Sequence, residues 1–264
     1  DWRFMAWWRR WYFLWGGDSE GAAILFYTRL PWPPSWPVNF DRIARWITLM
    51  GLLLSLILLA VAQGLQWLGM DNLLQSAIVV SLWLALTGGL HLDGVADTAD
   101  GLAVTNPSKR LAVMQDSQTG AKGVMAIAEV LLLKTFALAS FSDHGLASWA
   151  LIMALGWGRW GQLLAIALYP YLKEEGKGAM HKRNLKPGQD LLLGTMIIVF
   201  GGIGMGYALA IEPWSILGAT GSSALMAWAV GRWFARQFKG HTGDTYGAVV
   251  EWSEGLILLG VSLV

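Results

Sequence analysis

Long apolar stretches recur along the whole chain and constrain its fold more than any other feature. A helix needs about 20 apolar residues to cross roughly 30 Å of hydrocarbon. Windows close to this length are found at 44–63, 73–92, 124–142, 146–169, 191–211, 214–230 and 249–264. With 55% hydrophobic and only 14% charged residues among 264, the chain differs from a soluble enzyme. We therefore predict an all-α, polytopic membrane helix bundle with about seven transmembrane spans.

Basic residues in the connections between these windows predict the orientation of the bundle. Lys and Arg occur before the first span and after the second, fourth and sixth spans, whereas the alternate connections 64–72, 143–145 and 212–213 contain neither. Because basic connections remain in the cytoplasm, this alternation predicts a cytoplasmic N-terminus and an external C-terminus. We expect a multi-pass protein of the bacterial plasma (inner) membrane, in direct contact with the lipid bilayer.

The first 24 residues form a Trp- and Arg-rich segment that differs from the rest of the chain. Its aromatic residues recur on one helical face: Phe4, Trp8, Trp11 and Trp15. This pattern predicts an amphipathic helix that lies in the cytoplasmic membrane interface and does not span the bilayer. We assign residues 1–24 to this interfacial segment and residues 25–264 to a single integral-membrane catalytic domain.

Composition also excludes several kinds of site and partner. The chain contains no cysteine, which excludes disulfides, thiolate metal sites and a cysteine nucleophile. Carboxylates and histidine remain as side-chain metal ligands, and oxygen ligands favour a hard cation such as Mg²⁺ or Mn²⁺. The formal net charge is +1 and no dense basic tract is present, so nucleic acid is not expected as a partner.

The segment HLDGVADTADG, residues 91–101, begins at the end of the second apolar window and is the most informative polar motif. Asp93, Asp97 and Asp100 are spaced i, i+4, i+7, so on a helix they lie within roughly 60° of one another. Unpaired carboxylates on one face repel each other, and an acidic residue within a membrane costs on the order of 3 kcal/mol. We therefore predict that these aspartates bind a cation, with solvated loop acids as the alternative interpretation.

Three further polar motifs are expected at the same cytoplasmic face. They are QDSQTGAKG (115–123), EEGKG (174–178) and GHTGDT (240–245). Asp116 is predicted to add a fourth metal-binding carboxylate, to cap the third span, or both. Arg110 and Lys122 suit an anionic substrate, although basic residues are also expected there from topology alone. The gathering of these motifs at one face predicts a site there.

Charged residues within the apolar windows are expected to face the bundle interior, because exposure to lipid would be costly. Arg159 is predicted to bind a phosphate or to pair with a buried acid such as Glu129, which Lys134 could also neutralise. Glu251 and Glu254 share a face at i, i+3 and could line or cap the same cavity.

Two histidines flank the acidic motifs. His91 opens the first motif, and His241 lies in GHTGDT. Either side chain could hydrogen-bond a carboxylate or relay a proton, with a structural role as the alternative interpretation.

An ordered set of motifs resembles the cobalamin synthase family of membrane enzymes. The matching segments are FYTRLPWP (26–33), GGLHLDGVADTADG (88–101), MQDSQTGAKG (114–123), EEGKG (174–178) and GHTGDTYGA (240–248), the last followed by Glu251 and Glu254. The ordered set is highly specific, whereas each motif alone would be weak. The chain departs from the family pattern at Gln115, where a basic residue is expected, and in its Trp-rich first 24 residues, which have no counterpart.

The resemblance implies a transferase of substituted phosphate groups that joins α-ribazole, or its 5′-phosphate, to adenosylcobinamide-GDP. GMP would leave, and Mg²⁺ (or Mn²⁺) would be required. The implied metal ligands are Asp93, Asp97, Asp100 and Asp116. Asp97, Asp100 or His91 would take the proton of the attacking ribose 3′-hydroxyl. The implied substrate- and phosphate-binding residues are Arg29, Arg110, Lys122, Arg159, Lys177, Thr242 and Asp244. A homo-oligomer, or a complex with other enzymes of cobalamin assembly, is a further expectation.

Two other functions fit part of the pattern. CDP-alcohol phosphatidyltransferases share a D-x2-D-G start like the one at Asp97, but their Ala-Arg continuation and later spaced aspartates are absent here. An ion-coupled transporter would use Asp93, Lys134 and Arg159 as pathway residues, yet transporters usually place their site near the membrane midplane, between repeats. The polar motifs lie at one edge and no repeat is visible, so the transferase is favoured.

Overall fold

The computed structural model describes residues 19–173, 176–183 and 185–263, and all elements of regular structure in these ranges are helical. An isolated parallel bridge joins Tyr171 to His241. The predicted all-α class is therefore confirmed. Residues 1–18, which make up most of the predicted interfacial helix, lie outside the described residues.

The described ranges contain eleven α-helices, numbered here in chain order. They are α1 (Ser19–Tyr27), α2 (Ile47–Trp67), α3 (Asn72–Thr87), α4 (Leu90–Ala103), α5 (Arg110–Val113), α6 (Ala121–Ala139), α7 (His144–Leu168), α8 (Lys177–Arg183), α9 (Pro187–Ala208), α10 (Pro213–Phe238) and α11 (Gly243–Val261). Short 3-10 turns at Ile43–Trp46 and Pro107–Lys109 precede α2 and α5. Helix α1 continues across residue 24, the predicted end of the interfacial segment.

The long helices α2, α3, α6, α7, α9, α10 and α11 overlap the seven predicted windows. Three helical segments of the described chain are long and apolar enough to cross a membrane: Ile43–Trp67, His144–Leu168 and Pro187–Ala208. A fourth crossing is counted if α3 and α4, which meet at a bend of 93°, form one span. The chain is thus a helical protein with three or four candidate membrane spans by this test.

The second predicted window, 73–92, is wrong at its end, because α3 stops at Thr87. Gly88 and Gly89 follow with φ angles of 63° and 69°. Glycine adopts this left-handed conformation readily, and it commonly ends a helix. As a result, the aspartate motif does not extend the preceding span but begins a new helix, α4, that runs nearly perpendicular to it.

Polar side chains set the first turns of several helices. The Asp71 carboxylate accepts a hydrogen bond of 2.9 Å from the backbone N–H of Leu73 at the start of α3. Asp143 caps α7 in the same way, and Thr242 with Thr245 forms a reciprocal capping box at the start of α11. These side chains satisfy backbone N–H groups that have no partner within the helix.

Helix α7 forms the centre of the bundle, and 83% of its apolar window is buried. It contacts α2, α9, α10 and α11. Helix α11 also contacts α4 and α6, so it connects the central helix to the aspartate-bearing helix. The first turn of α11 and the first turns of α4 therefore meet at one end of the bundle.

Four charged side chains inside the bundle pair with one another, and we call them the interior network: Lys134, Arg159, Glu251 and Glu254. Lys134 Nζ lies 2.6 Å from Glu251 Oε2 and 2.7 Å from Glu254 Oε2. Arg159 is fully buried, and its Nε lies 3.6 Å from Glu254 Oε1. The network joins α6, α7 and α11.

The predicted pairing of Arg159 and Lys134 with Glu129 is wrong. Glu129 is exposed on α6. It lies five residues before Lys134, which corresponds to a rotation of about 140° around a helix, so the two side chains occupy different faces. The glutamates of α11 supply the negative charge instead.

Candidate active site

A cavity of about 280 Å³ opens where α4 and α11 meet the C-terminal end of α7. We call it the cavity. Its charged lining residues include Asp93 of α4, Asp244 of α11, and Lys173 from the connection after α7. His91, Gln162, Tyr171, His181 and Tyr246 also line it. Three segments far apart in sequence thus contribute to one concave, polar site.

The predicted register of the first motif is confirmed, because Asp93, Asp97 and Asp100 all lie on the single helix α4. Close helix contact brings this motif to α11. A Cβ atom added at Gly94 would overlap the backbone carbonyl of Asp244, so only glycine permits this approach. Asp93 and Asp244 consequently face the same cavity.

Asp97 lies among negative charges and is partly buried. Burial, together with the carboxylates of Asp93, Asp244 and Asp100, raises the pKa of Asp97 to about 6, and Lys173 partly offsets this rise. A raised carboxyl pKa is the expected result of like charges held close together in a poorly solvated place. Asp97 is not among the residues that line the cavity, but its charge is coupled to those of Asp93, Asp244 and Lys173, which are. We call Asp93, Asp97 and Asp244 the cavity carboxylates.

Asp244 is held from two sides. Lys173 Nζ donates a hydrogen bond of 3.2 Å to its Oδ2, and the Thr242 hydroxyl donates one of 3.1 Å to the same oxygen. Thr242 is fully buried, while Lys173 and Asp244 remain partly exposed. The GHTGDT motif therefore fixes one carboxylate at the cavity rim, beside a cation.

Asp100 makes a different contact from the other two aspartates of α4. Its carboxylate accepts hydrogen bonds from the backbone N–H groups of Gly120, at 2.6 Å, and Gly123, at 2.9 Å. These groups belong to the start of α6, where a negative charge is favoured by the helix dipole. Asp100 thus ties the QDSQTGAKG motif to α4, and its predicted metal and catalytic roles stay predictions.

Asp116 is exposed and accepts a hydrogen bond of 3.1 Å from the backbone N–H of Gln118. The alternative prediction that it caps the third span is wrong, because Gly120 is the N-cap of α6 and Asp100 accepts from its first turn. Asp116 is not among the residues that line the cavity. Its metal role stays a prediction.

The predicted phosphate-binding cations are dispersed. Arg110 donates a hydrogen bond of 2.9 Å to the backbone carbonyl of Gln237, near the end of α10. Arg29 and Lys122 are exposed, and Arg159 belongs to the interior network. Lys177 begins α8, but its side chain lies outside the described part of the chain. Their phosphate contacts stay predictions.

The two histidines have different surroundings. His91 lines the cavity, and neither of its ring nitrogens has a hydrogen-bond partner among the described residues. Burial and the nearby charges of Arg159 and Lys134 lower the pKa of His91 well below its usual value. His241 Nδ1 lies 3.0 Å from the Thr245 hydroxyl, and burial lowers the pKa of His241 to about 4. Both rings are therefore neutral at physiological pH.

Sequence reasoning missed five polar cavity residues: Gln162, Tyr171, Lys173, His181 and Tyr246. Gln162 could have been predicted from the sequence, because an amide within an apolar span, three residues after Arg159, is energetically costly unless it has a polar partner. Lys173 lies next to the EEGKG motif. Tyr246 gave no signal, since an aromatic residue near a membrane surface is ordinary.

The donor chemistry of the cavity fits Mg²⁺, although no cluster is preformed. In the part of the chain that the structure describes, no group of three or more His, Asp or Glu side chains is arranged to hold a metal ion. Mg²⁺ usually binds through one or two carboxylates, water and substrate phosphates and does not need an all-protein cage. Asp93 and Asp244 meet that requirement, and a cation would relieve the repulsion that raises the pKa of Asp97.

The family model described as cobalamin-5-phosphate synthase matches residues 21–262. An adenosylcobinamide-GDP ribazoletransferase of Synechocystis sp. is 92% identical over 98% of this chain and 100% of its own length. Proteins of the same name from Trichormus variabilis and Roseiflexus sp. are 45% and 33% identical, over 90% and 94% of this chain and 93% and 91% of their own lengths.

No solved structure gave a significant match. The family match nevertheless includes all of the motifs that line or support the cavity, from Phe26 of α1 to Asp244 and Tyr246 of α11. The family match covers more than half of the chain, and the three relatives align over nearly its full length. The chain therefore belongs to the cobalamin-5-phosphate synthase family.

Proposed function

We propose that the chain is an adenosylcobinamide-GDP ribazoletransferase, which joins α-ribazole or its 5′-phosphate to adenosylcobinamide-GDP and releases GMP. The 92% identity to the Synechocystis protein of that name carries this proposal. The cavity supports it independently, because carboxylates, a lysine and buried uncharged polar groups converge there. A diphosphate-bearing substrate needs such a combination of charged and neutral contacts.

The residues around the cavity have different roles in the reaction. Lys173 attracts the phosphates and keeps Asp244 at the rim. Asp97 takes the proton of the attacking ribose hydroxyl, because burial and the neighbouring carboxylates make it a stronger base than an ordinary aspartate. The hydroxyl oxygen forms a bond to the phosphorus that carries the cobinamide arm, and the bond from that phosphorus to GMP breaks.

Asp93 and Asp244 are the carboxylates that would hold Mg²⁺ together with the substrate diphosphate. A bound Mg²⁺ supplies charge neutralisation at the phosphate oxygens and at the leaving group. The role of the protein is to bring these two carboxylates, one from α4 and one from α11, to the same cavity, which the close contact of Gly94 with α11 allows.

We further propose that all seven long helices cross a bacterial plasma membrane, with the N-terminus and the cavity on the cytoplasmic side. The charge alternation of the connections supports this topology. Helices α6 and α11 carry Lys134, Glu251 and Glu254, and these charges are paired inside the bundle, so they are not presented to lipid.

Cysteine labelling tests this topology cleanly, because the chain has no native cysteine. Leu68→Cys, in the exposed connection after α2, should react with a membrane-impermeant maleimide in intact cells. Gln118→Cys, in the exposed connection before α6, should react only after lysis. The reverse pattern would overturn the orientation.

The activity is tested by supplying the purified protein with adenosylcobinamide-GDP and α-ribazole or its 5′-phosphate and measuring GMP release by chromatography. We expect release with Mg²⁺ or Mn²⁺ and none after chelation with EDTA. The control variant Glu129→Gln removes an exposed acid of α6 and should retain full activity. If no GMP were released with any divalent metal ion, the proposed activity would be contradicted.

A further inference from the structure

The cavity wall includes deeply buried polar side chains. His91, Gln162 and Tyr246 all line the cavity, and their exposed fractions are only 2%, 5% and 2%. We call these three residues the cavity floor. They come from α4, α7 and α11, so the three helices that form the site each contribute one member.

None of the floor groups is satisfied by the protein itself. Both ring nitrogens of His91, the Gln162 Oε1 atom and the Tyr246 hydroxyl are buried and have no hydrogen-bond partner among the described residues. In native proteins roughly 90% or more of buried polar groups are partnered, so three unpartnered side chains at one cavity need an explanation. Groups that face a binding site are commonly satisfied by the ligand.

The floor is also rigid. The Tyr246 ring stacks on Tyr171 with centroids 5.9 Å apart, and on His241 with centroids 5.2 Å apart. Gln162 is part of the central helix α7. Fixed donors and acceptors confer specificity, because a ligand lacking the complementary groups leaves them unpaired.

Charge divides the cavity into two zones. The rim carries Asp93, Lys173 and Asp244, whereas the floor contains no Asp, Glu, Lys or Arg. A phosphate needs cations, so it belongs at the rim, and the floor suits a neutral group with several donors and acceptors. The volume of about 280 Å³ lies just below the roughly 300–1,000 Å³ of pockets that hold whole drug-sized ligands. Only one end of a large substrate therefore enters.

We propose that the cavity floor binds the nucleoside end of a nucleotide substrate, with Gln162 as the residue that recognises it by hydrogen bonding. A nucleoside offers what the floor requires: an uncharged planar ring, ribose hydroxyls, and a phosphate placed to reach the rim. This inference rests on the proposed function, in which guanosine and α-ribazole are the candidate nucleosides.

Equilibrium binding to the purified wild-type protein and to Gln162→Leu tests this inference, with GMP, α-ribazole and inorganic diphosphate as separate probes. Leucine keeps the approximate volume of the side chain and removes its amide. We expect the Kd of one nucleoside probe to rise about tenfold, while the Kd of diphosphate is unchanged. A rise for GMP identifies guanosine as the occupant, and a rise for α-ribazole identifies the acceptor.

Gln75→Leu is the matched control. Gln75 also has a buried amide oxygen without a partner among the described residues, but it lies on α3 at a different, small pocket. It should leave all three affinities unchanged. Tyr246→Phe serves as a second floor variant if Gln162→Leu does not fold, and it should weaken the same nucleoside severalfold.

Unchanged affinity for both nucleosides in both floor variants would overturn the inference, as would an equal loss for diphosphate. Failure of the proposed function is distinguishable from this result. In that case the wild-type protein would release no GMP from adenosylcobinamide-GDP, whatever the floor variants bind.

Discussion

The interior network and the cavity carboxylates are built from the same kinds of side chain but differ in how their charges are matched. In the interior network, two cations pair with two carboxylates, and Lys134 donates to both glutamates at 2.6 and 2.7 Å. Beside the cavity, Asp93, Asp97 and Asp244 are accompanied by one lysine among the described side chains, Lys173. The first group is balanced and closed to solvent, and the second has excess negative charge and is open.

This difference separates a structural role from a functional one. A buried ion pair with matched partners maintains the packing of α6, α7 and α11, and removal of one partner leaves a buried charge alone. An unbalanced cluster at a cavity is poised to bind a cation and its anionic substrate. Charge matching therefore distinguishes the two roles, whereas the presence of acidic residues does not.

Glu254→Gln should produce the largest effect, on stability. Glu254 contacts both cations of the interior network, so its neutralisation leaves Arg159 without a carboxylate and Lys134 with only Glu251. Breaking a buried pair from one side costs about 3–5 kcal/mol. The free energy of unfolding in detergent measures this loss. Glu129→Gln, an exposed acid on α6, should change it little, and equal stability of the two variants would contradict the structural role.

Asp97→Asn should lower kcat about 100-fold or more, because it removes the proposed proton acceptor. Its unfolding free energy should not fall, since the substitution relieves repulsion at the cavity. Steady-state GMP release over a range of pH measures the effect. The wild-type rate should decline as the pH falls and Asp97 becomes protonated, at a pH below the metal-free value of about 6, because a bound cation favours the carboxylate. A fully active Asp97→Asn protein would refute this role.

Gly94→Ala should have an intermediate effect on both regions. The added methyl group overlaps the Asp244 backbone, so α4 and α11 must separate. Overpacking of this kind costs about 1–3 kcal/mol, and the displaced Asp244 should lower activity as well. Gly221→Ala on α10 is the control, because its Cβ would have no neighbour within 4 Å. If the two variants had the same melting temperature and the same rate of GMP release, the close approach of α4 to α11 at Gly94 would be unimportant for stability and activity.

The smallest expected effect is the pH dependence of stability without metal. The pKa of Asp97 is raised from 3.8 to about 6 in the folded protein, so the folded state binds its proton at a higher pH than the unfolded chain. Stability should therefore rise modestly as the pH falls from 8 through 6, and this rise should be absent in Asp97→Asn. The melting temperature, measured with EDTA at several pH values, would show this rise. A melting temperature that falls over the same pH range in the wild type alone would contradict the raised pKa of Asp97.

The sequence predicted what depends on local pattern. The register of Asp93, Asp97 and Asp100 on one helix follows from their spacing, and the long helices coincide with the apolar windows. The break at Gly88 was missed because hydropathy does not register a left-handed backbone.

The remaining features depend on contacts between distant segments. Lys134 and Glu254 are separated by 120 residues, and nothing in their spacing indicates that they meet. Asp100 was grouped with its neighbours by spacing, yet it binds the start of α6. The cavity floor likewise required the three-dimensional arrangement, because Gln162 belongs to no motif and nothing in the sequence indicates that it lies beside Tyr246.

The most direct test of the proposed metal site is electron paramagnetic resonance of Mn²⁺ bound to the purified protein in the presence of adenosylcobinamide-GDP. We predict a signal of bound Mn²⁺ in the wild type and in Glu129→Gln that is lost in both Asp93→Asn and Asp244→Asn. Bound Mn²⁺ in both of these variants at the wild-type affinity would contradict the claim that Asp93 and Asp244 hold the metal.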